Sequence, residues 1–102
     1  MAITPEGKIK TRVKLLLCSY TGCYYGMPVQ GGYGAVMLDF YGCFRGRFFA
    51  IETKAKGKKP TARQQKLMDE IREAGGAVFL IDGNEGITEL KSWMEWVLAA
   101  SV

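Results

Sequence analysis

The run Val36-Met37-Leu38-Asp39-Phe40-Tyr41-Gly42-Cys43-Phe44-Arg45-Gly46-Arg47-Phe48-Phe49-Ala50-Ile51-Glu52-Thr53-Lys54 decides the fold. Residues 36–43 and 47–54 are rich in aromatic and β-branched side chains, which pack well on a pleated surface, and the turn candidate Phe44-Arg45-Gly46-Arg47 separates them. A β-hairpin is predicted. Side chains alternate across a strand, so Phe48, Ala50, Glu52 and Lys54 point to one face and Phe49, Ile51 and Thr53 to the other. Both faces are largely apolar, which makes this second strand central. If Arg45-Gly46 is a two-residue loop, Phe44 meets Arg47 and Asp39 falls opposite Glu52.

Upstream, Thr4-Pro5-Glu6 reads as a helix start: an N-cap, a proline at the first helical position and an acid near the positive end of the dipole. Ile9, Val13, Leu16 and Leu17 share one face while Lys8, Lys10, Arg12 and Lys14 lie off it, predicting an amphipathic helix over residues 5–20 with a basic outer surface. Residues 24–29 read as a short strand and 30–34 as a glycine-rich loop. Downstream, the capping box Thr61-Ala62-Arg63-Gln64 opens a helix that Gly75-Gly76 closes. Ala77-Val78-Phe79-Leu80-Ile81 is a buried strand, residues 82–86 break it, and residues 87–99 form a last amphipathic helix. The expected fold is α/β, one domain over residues 1–102 in the order α-β-β-β-α-β-α, with helices on a mixed sheet.

Hydrophobic residues are 48% of the chain and charged residues 24%, the balance of a globular protein, and no apolar run approaches the ~20 residues of a spanning helix. The first 14 residues alternate basic and apolar and lack a secretory signal's core, so a cytoplasmic location is expected. Cys18, Cys23 and Cys43 are odd in number and match no metal knuckle, as reduced thiols would. The chain has no histidine, which removes imidazole catalysis and leaves carboxylates, lysines and a metal ion. Charge is uneven. Residues 1–66 hold twelve Lys and Arg against three acids, net +9, and residues 67–102 hold two against seven, net −5. The cationic part suits a polyanion such as nucleic acid.

Like charges facing each other across a hairpin are destabilising, so an Asp39–Glu52 pair needs a reason. A hard divalent cation supplies one. Lys54, two residues beyond Glu52 on the same face, then reaches a water or phosphate beside that metal. The competing explanation is a lysine that merely neutralises the two acids. The loop Ala55-Lys56-Gly57-Lys58-Lys59-Pro60 follows, and with Arg63 and Lys66 it forms a stretch without an acid, suited to phosphate contact. Gln64 has a structural job in the capping box and also stands where it can face the site.

Asp39, the stretch Gly46-Arg47-Phe48-Phe49-Ala50-Ile51-Glu52-Thr53-Lys54, and Pro60-Thr61-Ala62-Arg63-Gln64 resemble the VRR-NUC (virus-type replication-repair nuclease) domain of the PD-(D/E)XK superfamily, in its stand-alone phage form. Leu38 replaces the family's proline before the aspartate. The resemblance implies a restriction-endonuclease-like fold and a Mg²⁺- or Mn²⁺-dependent endodeoxyribonuclease acting on branched DNA such as Holliday junctions. It implies catalytic roles for Asp39, Glu52, Lys54 and Gln64, with the metal held by Asp39, Glu52 and the backbone carbonyl of Thr53. Glu6 stands where an accessory acid would, and Lys56, Lys58, Lys59, Arg63 and Lys66 would hold DNA. Symmetric cutting of a junction implies a homodimer. A non-catalytic nucleic-acid-binding module with the same basic surface, and Tyr24, Tyr25 and Tyr33 for stacking, is the alternative.

Overall fold

A computed structural model describes residues 3–29 and 36–101. The elements are α1 (Pro5–Cys18), β1 (Cys23–Gly26), β2 (Phe40–Phe44), β3 (Arg47–Thr53), α2 (Ala62–Glu73), β4 (Ala77–Ile81) and α3 (Asn84–Ala100), the order expected. The predicted 30–34 loop lies outside the described residues. The sheet runs β1-β2-β3-β4, antiparallel through β3, with β4 parallel to it, so it is mixed as expected.

The hairpin register is the one the loop length dictates. Phe44 pairs with Arg47 and Phe40 with Ile51, and Arg45 and Gly46 both have positive φ, 50° and 84°. Such a turn twists with the flanking strands rather than splaying them. β3 is interior to the sheet and buried on both faces. Phe49 and Ile51 meet Ile9, Val13 and Leu17 of α1 and Leu90, Met94 and Val97 of α3 in the main core. Ala50, on the other face, packs with Leu38 and Met68 of α2 in a smaller one. The strand thus ends between three helices, at Glu52 and Thr53.

Boundaries shift where a local bond or missing partner overrides pattern. α1 stops at Cys18 because Ser19 turns its amide and its hydroxyl back to the Leu16 carbonyl. β2 begins at Phe40 rather than residue 36 because β1 is only four residues long and pairs no further than Gly26 with Tyr41. Leu38 instead donates its amide to the Tyr41 hydroxyl and buries its side chain. α3 starts earlier than expected, at Asn84, with Gly86 in its first turn packed on Ile81, where a Cβ would come 2.9 Å from the Ile81 Cα. Capping at Thr4 and the Thr61–Gln64 box are as read from sequence. Among the described residues no helix is long and apolar enough to cross a membrane.

Gly42 sets how closely β1, β2 and the Phe49 ring approach. A Cβ there would lie 2.3 Å from the Tyr24 carbonyl oxygen and 2.5 Å from the ring. Backbone cannot yield cheaply, so Gly42→Ala is expected to lower unfolding free energy by about 1–3 kcal/mol, as overpacking does. Urea denaturation checks this; an unchanged midpoint would show that β1 is free to move off β2.

Candidate functional site

The carboxyl end of β3, the start of α2 and the first half of α1 meet around two carboxylates. The Asp39 Oδ2 accepts hydrogen bonds from the Thr53 amide at 2.9 Å and the Thr53 hydroxyl at 2.7 Å. Its Oδ1 lies 3.6 Å from the Lys10 Nζ, which is also 3.8 Å from Glu6. Glu52 is 3% exposed. Its Oε2 is 3.2 Å from the Lys54 Nζ and accepts from the Gln64 Nε2 at 3.1 Å. Gln64 therefore does two jobs, since its Oε1 also accepts the Thr61 amide in the capping box.

The Glu52 Oε1 is buried without a hydrogen-bond partner among the described residues. A carboxylate in that position loses hydration without full compensation. Burial is the main reason that its pKa is raised, the neighbouring Asp39 charge adds to the rise, and Lys54 opposes it.

Beyond Lys54 the chain is pinned by its own backbone. The Lys54 amide donates to the Ile81 carbonyl, the Lys58 amide to the Ala55 carbonyl, and the Gly57 amide to the Asp82 carboxylate. Gly57 has φ +80°, the left-handed conformation that a side chain would strain. The loop so held exposes Lys56, Lys58 and Lys59, none of which makes an ion pair with a described carboxylate. Lys54, Lys58 and Lys59 line a groove of about 420 Å³ whose opposite wall is Thr4, Pro5 and Glu6. Arg63 and Lys66 lie exposed on the first turns of α2.

The structure thus brings Asp39, Glu52, Thr53, Lys54 and Gln64 together and reaches Glu6 through Lys10. Lys10 is the member that sequence reasoning missed, having been placed on the outer helix surface. Its one signal was its position four residues after Glu6, where the two side chains are helical neighbours.

Searches for a matching protein family, a similar curated protein and a similar solved structure each found none. The assignment to the VRR-NUC domain and the PD-(D/E)XK superfamily is therefore not upheld. The metal-dependent endonuclease expected with it is corrected as well. Among the described residues no group of three or more His, Cys, Asp and Glu side chains is arranged to hold a metal ion, so the Mg²⁺ or Mn²⁺ cofactor and phosphodiesterase activity lack a donor set. The physical reason is local pairing. Asp39 is taken up by Thr53 and Lys10, Glu52 by Lys54 and Gln64, and the repulsion that seemed to call for a cation is offset by two lysines. Thr53 contributes its amide and hydroxyl to Asp39.

A raised pKa for Glu52 means that the folded state holds this proton more tightly than the unfolded chain. Its contribution to stability is greatest at low pH and falls as pH rises from the ordinary value of 4.5 through the folded value. Glu52→Gln removes that dependence. Urea unfolding at pH 4 to 8 is expected to show wild type losing stability relative to the variant as pH increases; a constant difference would mean that Glu52 titrates alike in both states.

Proposed function

We propose that this chain is a non-catalytic nucleic-acid-binding module whose partner is DNA, held by its phosphates. The observation that carries the reading is the pinned loop presenting Lys56, Lys58 and Lys59, none of them in an ion pair with a described carboxylate, beside the groove of Lys54 and Thr4-Pro5-Glu6. Phosphate binding by lysines gains from counterion release and needs little shape matching, but it gains more when the loop is ordered beforehand. The bonds to Ile81 and Asp82 supply that order. Arg63 and Lys66 extend the surface onto α2, whose amino terminus adds a favourable dipole. Tyr24, 77% exposed on the edge strand β1, offers a ring for stacking.

The Asp39–Lys10 and Glu52–Lys54–Gln64 contacts act as a buttress in this reading. They join α1, β3 and α2 at the root of the loop and consume their own charges, leaving the outward lysines for the partner. The α-β-β-β-α-β-α scaffold is of the restriction-endonuclease-like kind, used here as a platform, since a fold does not dictate a function. A DNA partner fits a cytoplasmic setting, where three unpaired cysteines are at home.

Replacing Lys56, Lys58 and Lys59 together by Gln is expected to weaken binding to duplex DNA regardless of sequence. It should also reduce the slope of log affinity against log salt by about 3, one per lost phosphate contact. Fluorescence anisotropy over a salt series measures both; an unchanged slope would place the DNA elsewhere. Asp39→Asn, which touches no outward lysine, is expected to leave affinity within about threefold of wild type or make it tighter, since it removes negative charge near the surface. A loss of tenfold or more in a folded variant would show that the carboxylate itself takes part in binding.

A further inference from the structure

The opposite end of β3 carries a second surface. Arg47 and Phe48 begin the strand, the Gly75-Gly76 turn ends α2 beside them, and Trp93 and Trp96 of α3 close a groove of about 430 Å³. Two aromatic side chains here are open to solvent, Phe48 at 45% and Trp96 at 55%. Folding alone would favour covering them. The Arg47 guanidinium lies 4.7 Å from the centroid of the Trp96 ring, so a cation is already layered on the indole. Gly76 lets the Ile71 and Phe48 side chains close on the turn, since a Cβ there would come 2.7 Å from Ile71 and 3.0 Å from Phe48, and this packing holds the Phe48 ring at the groove. No acidic side chain lines the groove.

We infer that this groove takes an unpaired nucleobase of the same DNA strand whose phosphates the lysine loop holds, an inference that rests on the DNA-binding reading above. The chemistry is complementary on both counts. The solvent-exposed parts of the Phe48 and Trp96 rings accept a flat aromatic ligand, and Arg47, in a groove lined by no acid, favours one that carries negative charge. A nucleotide is flat and anionic together. Arg47 and Lys54 stand seven residues apart on an extended run, about 23 Å at ~3.3 Å per residue, and α2 runs back along the same span. A stacked strand covers that distance in about seven nucleotides at ~3.4 Å each, and an extended one in fewer. The two ends are therefore joined by a short single-stranded segment, with phosphates at the lysines and a base at Trp96.

The test compares oligothymidylate of about ten nucleotides with heparin, a polyanion that has no bases, against wild type, Trp96→Ala, Trp96→Phe and the triple lysine variant. Affinities are read at one moderate salt concentration, together with tryptophan fluorescence and sedimentation. Trp96→Ala is expected to lose about tenfold or more for oligothymidylate while holding heparin as wild type does, and Trp96→Phe to stay within about threefold. Oligothymidylate, but not heparin, should quench wild-type fluorescence, and the triple lysine variant should lose both polymers. Undiminished oligothymidylate binding by Trp96→Ala overturns the inference while leaving the DNA-binding reading intact. Equal losses for both polymers overturn it too, because Trp96 would then act through the fold. A change in sedimentation with DNA affinity preserved makes the groove a contact between copies, which also overturns it. Failure of wild type to bind either polymer removes the DNA-binding reading and this inference with it.

Discussion

Strand β3 is buried on both faces, and its last residues must satisfy a carboxylate out of contact with water. Phe49 and Ile51 fill the core under α1 and α3, and Ala50 fills the one under α2, so Glu52 has nowhere to find solvent. An isolated buried carboxylate is costly, and its partners must come from the elements that bury it. Lys54 comes from the same strand and Gln64 from α2. That requirement fixes where α2 begins, because the amide that reaches Glu52 belongs to the same Gln64 that closes the capping box. The loop between them is held at both roots, and its lysines are forced outward.

Asp39 solves a related problem differently. It lies just before β2 starts, only partly buried, and it binds Thr53 across the hairpin and Lys10 from α1. Lys10 thereby ties the first helix to the hairpin through a polar contact, between Ile9 and Val13, which with Leu17 bury its apolar stripe in the core. Near the far end of that helix the Tyr20 hydroxyl donates to Glu95 of α3 at 2.5 Å, and burial together with this bond pushes the phenol up to about 12. Polar contacts outside the core thus set the orientation of helices whose apolar stripes alone would tolerate rotation.

How far the sequence could be read follows from the range of each interaction. The hairpin register was legible because Arg45-Gly46 fixes it locally; the ladder ends at Phe40 with Ile51, and beyond it Asp39 bonds Thr53 while its charge still acts on Glu52. The element order and the capping box were legible for the same reason. The start of β2 was not, since it depends on the length of β1, and the end of α1 depends on a serine side chain that pattern reading ignores. The reading of the site failed at Lys10. Within the hairpin, two carboxylates and one lysine leave a charge imbalance that a metal ion would correct. Lys10, delivered from α1 and shared with Glu6, stands beside Asp39 as Lys54 stands beside Glu52, so both acids of the hairpin have a cation without a metal. A resemblance built on the spacing of Asp39, Glu52, Lys54 and Gln64 could not register a partner from another part of the chain.

The uneven charge of the sequence acquires a spatial meaning once α2 is placed. Its first turns carry Arg63 and Lys66 beside the lysine loop, whereas Asp69, Glu70 and Glu73 lie toward its other end and Glu85, Glu89 and Glu95 along α3. In the proposed reading, the unpaired loop lysines with Arg63 and Lys66 give a polyanion its long-range attraction, tempered by Asp82 and Glu85, which share a pocket with Lys56. That field is screened within about 8 Å at physiological salt, so it governs encounter more than residence. The Arg47–Trp96 groove works at contact range and through ring faces, which salt weakens far less. In the proposed reading one end of β3 attracts through charge and the other retains through stacking, with the buried strand fixing the distance between them.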